Sequence, residues 1–121
     1  IISASNDGSI RKWSGDGEAV GQPCGSDGGG VISLAVSPGQ TMVASGNADG
    51  TIRLWNIEDG SMVGELWTGH SIVLRCLDWS PIALEAASGS NDGTIRCWDP
   101  ASGHQIASPI ETGQDWVLTI K

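Results

Sequence analysis

The chain has 121 residues, with 14 acidic against 6 basic side chains and a net charge of −8. That balance argues against nucleic acid, whose phosphates need a basic face, and against an anionic membrane surface. Its 18 Gly and 6 Trp, with no Phe or Tyr, suit many short strands joined by tight turns, and apolar runs such as Leu34-Ala35-Val36 fall far short of the roughly 18 residues of a membrane span.

In chain order, Ile1–Asn6 reads as a strand entered part-way, because it matches Ala86–Asn91 further on. Asp7-Gly8 turns the chain into Ser9–Trp13. Gly28-Gly29-Gly30 is a flexible link without the lysine of a phosphate-binding loop. Val31–Val36 is an apolar strand that ends at Ser37-Pro38, and Met42–Gly46 is the next strand. Asp49-Gly50 supplies the positive-φ residues of a tight hairpin into Thr51–Trp55, where Ile and Trp share one face. Asp59-Gly60 turns into an outer strand, Met62–Trp67. The series then returns as Val73–Trp79 with Ser80-Pro81, Leu84–Gly89, Asp92-Gly93, Thr94–Trp98, Ser102-Gly103 and an outer strand Gln105–Ile110. Trp116–Lys121 matches Ile72–Leu77 and reads as another first strand. No helical periodicity runs for ten residues.

The repeat decides the fold class. Asp7-Gly8-Ser9-Ile10-Arg11-Lys12-Trp13 recurs as Asp49-Gly50-Thr51-Ile52-Arg53-Leu54-Trp55 and as Asp92-Gly93-Thr94-Ile95-Arg96-Cys97-Trp98, with the tryptophans 42 and 43 residues apart. Fixed periods of this length mean stacked modules that cover each other's apolar flanks. The expectation is an all-β segment of about three propeller blades, each of four antiparallel strands. Whole blades fall near 30–67 and 72–110, and one blade is split between 1–24 and 114–121. Three blades are too few for a ring, since known rings use about four to eight. The absence of an initial Met and the open ring read as a piece of a longer propeller, or as a chain that self-associates.

Strand, Ser-Pro turn, strand, Asp-Gly turn, strand ending in Trp98-Asp99, outer strand and Gly69-His70 together resemble the WD40 repeat family. Trp55-Asn56 and Trp13-Ser14 depart from the name-giving dipeptide. The run from Trp98 to Gly103, followed by Ile106–Ile110, is similar to repeats of fungal NACHT-type signalling proteins. The resemblance implies a non-catalytic scaffold for protein–protein interaction. It also implies a buried hydrogen-bond set, here His70, Ser88, Asp92 and Trp98. In the other copies Asp27 or Gly28, and Gln114 met cyclically, stand where the histidine would be, so the last blade alone is expected to be fully pinned.

By the same resemblance, partners dock on the face made by the hairpin turns and the first-strand starts. The positions before the turn aspartate are Asn6, Ala48 and Asn91. The first-strand positions are Ile32, Arg75 and Thr119. Arg75 stands out as a long cation in an apolar strand, suited to be an interface anchor or half of an internal ion pair. Trp116 is a second anchor or a cover for a blade. Arg11, Arg53 and Arg96 form a regular series that reads as a solvated face.

Other chemistry is disfavoured. Ser88, His70 and Asp92 lack a nucleophile elbow or oxyanion motif. Asn6-Asp7-Gly8 and Asp16-Gly17-Glu18 lack the ligand spacing of a calcium loop. Cys24, Cys76 and Cys97 lack metal spacing and read as reduced thiols of an intracellular, cytoplasmic protein, with Cys24 a possible cross-linking site. No cofactor or metal is expected. A multivalent carbohydrate-binding propeller is the alternative, and it would place aromatic rings at loop tips.

Overall fold

The computed structural model describes residues 1–24, 29–82 and 84–120, apart from the side chains of Gln22 and Cys24. The Cys24 thiol, the Asp27 and Gly28 matches to the histidine position, and Lys121 therefore lie outside the described residues. Among the described residues the chain is all-β, in three antiparallel sheets. Strands β1 (Ile2–Ala4), β2 (Ile10–Trp13) and β3 (Ala19–Cys24) form the first, and β4 (Val31–Val36), β5 (Met42–Asn47) and β6 (Ile52–Asn56) the second. The third holds β7 (Leu74–Trp79), β8 (Ala86–Ser90) and β9 (Thr94–Asp99), with β10 (His104–Gln105) and β11 (Ile110–Glu111) both on the far side of β9.

The three central hairpins share one design. The carbonyls of Ser5, Asn47 and Ser90 accept the N–H of Gly8, Gly50 and Gly93 at 3.0, 3.0 and 3.2 Å. Those glycines carry φ of 88°, 85° and 80°. The expectation that the aspartate shares the left-handed conformation is corrected, since Gln40 is the non-glycine residue with positive φ among those described. A three-residue loop needs only its last residue left-handed. Asp7, Asp49 and Asp92 instead use their carboxylates, which accept the backbone N–H and the hydroxyl of Ser9, Thr51 and Thr94.

The outer strands are shorter than their apolar pattern suggests. In the second blade, expected at Met62–Trp67, pairing reduces to bridges of Trp55 with Met62 and Ile52 with Trp67. Gly64, at φ 69°, breaks the run between them. In the third blade the expected strand, Gln105–Ile110, splits into β10 and β11 around Ser108-Pro109, where proline has no N–H to pair.

The core lies between blades. Ile52, Leu54, Trp67, Leu74, Leu77, Trp79 and Trp98 are buried together between the second and third sheets. Ile10, Val31, Val43 and Trp55 fill the space between the first and second. Burial of a Leu or Ile side chain of this kind stabilises by about 1.5–3 kcal/mol. Trp67 stacks on Trp98 of the next blade, ring centroids 5.9 Å apart. The Trp79 indole N–H donates across the same interface to the Ala35 carbonyl at 2.9 Å. Small residues are needed where the following segment packs across the sheet: a Cβ on Gly46 would collide with Leu74 of β7, and one on Gly89 with Val117 of the terminal segment.

Val117 thus fills over Gly89 the place that Leu74 fills over Gly46. Matching Val117 to Val73, as the sequence does, is off by one residue. The reason is the loop path: the Val117 N–H bonds to Ser90 O, as Val31 N–H bonds to Ser5 O, and residues 116–120 form no strand. Counted from Val117, Leu118 rather than Thr119 stands at the Arg75 position.

Candidate functional site

Strand β7 does not pair evenly with β8. Its register runs from Leu74 opposite Ser90 to Cys76 opposite Gly89, which leaves Arg75 as an extra residue in a β-bulge. The same irregularity in β4 leaves Ile32 extra, between Val31 opposite Asn47 and Ser33 opposite Gly46. A bulge bends the strand and re-aims the extra side chain. Arg75 is thereby turned out of the apolar strand. Its Nε–H donates to Asn91 Oδ1 at 2.7 Å, and its guanidinium carbon lies 5.5 Å from the centre of the Trp116 ring. The expected alternative, an ion pair, is not formed among the described residues.

Three of the proposed contact residues, Arg75, Asn91 and Trp116, therefore meet. The others are placed apart. Ile32 sits at the equivalent bulge, 37% exposed, and Ala48 is half-buried with its N–H on the Gly30 carbonyl. Asn6 is exposed and packs over Gly30, where a Cβ would collide with it. Thr119 is exposed in the terminal segment, one residue past the Arg75-equivalent position.

Beneath Asn91 runs a buried polar chain. The Trp98 indole N–H donates to Ser88 Oγ at 2.8 Å, and Ser88 Oγ lies 2.7 Å from His70 Nε2. His70 Nδ1 lies 3.0 Å from Asp92 Oδ2. With Nδ1 protonated, Ser88 donates to Nε2 and His70 donates to the carboxylate, so every group has a partner. Asp92 also accepts the Ser71 N–H at 3.2 Å and the Thr94 hydroxyl at 2.6 Å. Burial pushes the Asp92 carboxyl up, but the hydrogen bonds from Thr94, His70 and Ser71 outweigh it and hold it at about 2. Burial also holds the His70 imidazole below its ordinary range, against the opposing pull of Asp92.

The order Ser–His–Asp has the connectivity of a hydrolase triad. Ser88, however, is completely buried, and its oxygen already takes the Trp98 N–H. A substrate carbonyl has no path to it, and the neutral imidazole is engaged on both nitrogens.

Among the described residues the other blades keep a shorter version. Trp55 donates to Ser45 Oγ at 3.0 Å and Trp13 to Ser3 Oγ at 2.8 Å. In the second blade Asn47 takes part of the work: its Nδ2 donates to the Thr51 carbonyl at 3.1 Å and hydroxyl at 3.4 Å. Gln114 lies beside Gly93 of the third hairpin. Thr94 and its counterparts Ser9 and Thr51 were in plain view in the repeat, right after each Asp-Gly, yet their hydroxyl bonds are visible only once the turn is built. The arginine series is not a uniform solvated face: Arg11 is exposed, Arg53 is buried, and Arg96 is half-buried with Nη1 on Gln105 Oε1 at 3.1 Å. Cys76 and Cys97 are free thiols in β7 and β9.

A family model described as WD domain, G-beta repeat matches residues 18–56 and 60–99. The chain belongs to the WD40 family. Each WD40 match begins before an outer segment and ends at the third strand of the next blade, so one sequence repeat staples two blades. Curated relatives include eukaryotic translation initiation factor 3 subunit I of Neosartorya fischeri, 38% identical over 63 residues, 52% of this chain and 18% of the relative. The subunit I of Coccidioides immitis is 35% identical over 82 residues, 67% of this chain and 23% of the relative. WD repeat-containing protein 97 of Homo sapiens is 32% identical over 73 residues, 57% of this chain and 4% of the relative. The chain thus spans about a fifth of the subunit I relatives it matches. Of solved structures, U3-55K superposes with a TM-score of 0.87 at 24% identity, covering 98% of this chain and 37% of that one. The RRP9 WD40 repeats give 0.88 at 23%, with 98% and 37% covered. These likenesses show the fold: a run of WD40 propeller blades. WD40 propellers generally serve as protein-interaction scaffolds, and no helix here is long and apolar enough to cross a membrane, among the described residues.

Proposed function

We propose that this chain is a non-catalytic docking segment of a WD40 propeller, and that its contact face is the rim carrying Arg75, Asn91 and Trp116. One observation carries the reading: a bulge re-aims Arg75, and a neutral amide and an indole ring then hold it in place. An anchor held before binding loses little side-chain freedom on docking, and Arg and Trp are the types enriched at interface hot spots. The test is capture of protein partners by the wild-type chain and by Arg75→Glu. Partner capture is expected to fall about tenfold or more; unchanged capture removes this face. The carbohydrate-binding alternative draws little support, since Trp55, Trp67, Trp79 and Trp98 are buried in blade interfaces and the exposed ring, Trp116, is engaged with Arg75.

The same reading holds that the segment works inside a larger ring. Strand β1 pairs only with β2 among the described residues, so its other edge is open. An open edge invites another strand, from further blades of a longer chain or from a second copy.

A further inference from the structure

The charge balance around Arg75 identifies what the face would grip. Its Nε–H is spent on Asn91 and one face of its guanidinium rests against Trp116. The Nη fork carries no hydrogen bond among the described residues. The nearby acids leave it uncompensated. Asp92 turns inward to His70, Ser71 and Thr94, Asp49 is taken by Thr51, and Asp115 makes no ion pair with Arg75. Of the other described cations, Arg53 is buried, Arg96 is held by Gln105, and Arg11 and Lys12 lie on β2. The rim therefore presents one oriented, unneutralised fork in a chain of net charge −8.

Resting on the reading of this rim as a docking face, we propose that its anchor is a carboxylate: an Asp or Glu side chain of a partner protein segment, next to an apolar residue. A planar fork with two parallel N–H groups matches a carboxylate. A single cation suits a single negative charge, whereas a nucleic-acid backbone needs several. The apolar neighbour follows from Trp116, 56% exposed with its ring against the guanidinium, and from Leu118, 62% exposed and two residues further along the same segment.

The probe is a displayed library of short random peptides, selected on the full chain. Selected peptides are expected to carry Asp or Glu beside an apolar residue. Changing that acid to its amide is expected to weaken binding to the wild type about tenfold or more, and to cost nothing further against Arg75→Gln. Trp116→Leu keeps the cation and is expected to weaken the same peptides about threefold, with both variants checked for unchanged thermal unfolding. Inorganic phosphate should not compete. The proposal fails if no binder is recovered, if binders lack an acid, if the amide loss persists on Arg75→Gln, or if phosphate displaces them. Partner capture that depends on Arg75 while selected peptides ignore the acid would sink the carboxylate alone; capture indifferent to Arg75→Glu would sink the docking face itself.

Discussion

Replacing His70 with alanine removes the middle of the third blade's polar chain, and the loss can be worked from its bonds. The Nδ1–H bond to the Asp92 carboxylate is charge-assisted, and bonds of that type contribute about 1.5–3 kcal/mol, while the bond from Ser88 adds about 1. Thr94 and Ser71 continue to satisfy Asp92, which recovers part of this. The net expectation is a loss of about 2–4 kcal/mol, or roughly 10 °C in melting temperature for a domain of this size. Gln114→Ala, at an exposed position, should stay within about 0.5 kcal/mol. Acid adds a second signature. The folded protein holds His70 below the 6.5 of the unfolded chain. The stability this provides is complete above pH 6.5 and is lost as pH falls through the lowered folded value. The alanine variant lacks it, so the gap between the two proteins should narrow below pH 6.5. Asp92, held at about 2 against 3.8, gives a later loss between those values. Discounted for its partial exposure, that loss is about 1–2 kcal/mol. Urea denaturation at stepped pH measures both. Equal shifts for His70→Ala and Gln114→Ala, or a gap that widens in acid, refute the assignment.

Gly46→Val should destabilise by about 1–3 kcal/mol in a thermal melt, because the new side chain meets the fully buried Leu74 and the interface cannot open to admit it. Gly15→Ala, with nothing within 4 Å of the added carbon, is the neutral control. Light scattering of the chain is expected to show an assembly of several copies, or a closed ring when it stands in a longer protein; a stable 12.5 kDa monomer that unfolds cooperatively overturns the larger-ring reading. The Arg75→Glu capture and the peptide selection complete the set.

The blade plan was legible because the Asp-Gly-Ser/Thr-Ile-Arg motif is local. Its turn, its alternation and its period each follow from nearby residues, and they agree. What escaped was non-local. The β7 bulge depends on how Leu74 and Cys76 register against β8, and no residue in Val73-Leu74-Arg75-Cys76-Leu77 announces it. Arg11, Arg53 and Arg96 sit in one motif yet end exposed, buried and half-buried, because their burial depends on chain that lies elsewhere. The outer strands were overextended because apolar content outweighed Gly64 and Pro109 in the pattern. The one-residue slip at Val117 goes with matching Gln114 to His70, while the seat over Gly89 is set by the length of the loop.

The polar chain and the contact rim are joined by one hairpin. Asn91 and Asp92 are consecutive residues of the β8–β9 turn; Asp92 is tied down to His70, Ser71 and Thr94, while Asn91 reaches out to Arg75. In the first two blades the tryptophan–serine link remains, but the turn residues Asn6 and Ala48 hold no such arginine among the described residues. The fully pinned blade is therefore also the one that displays an oriented cation. Precise placement of a contact residue needs a rigid support behind it, and a turn fixed by a carboxylate with four donors supplies that support. Loss of His70 should consequently loosen Asn91 and blur Arg75 without touching either, so that a partner held by Arg75 would feel a change buried in the blade.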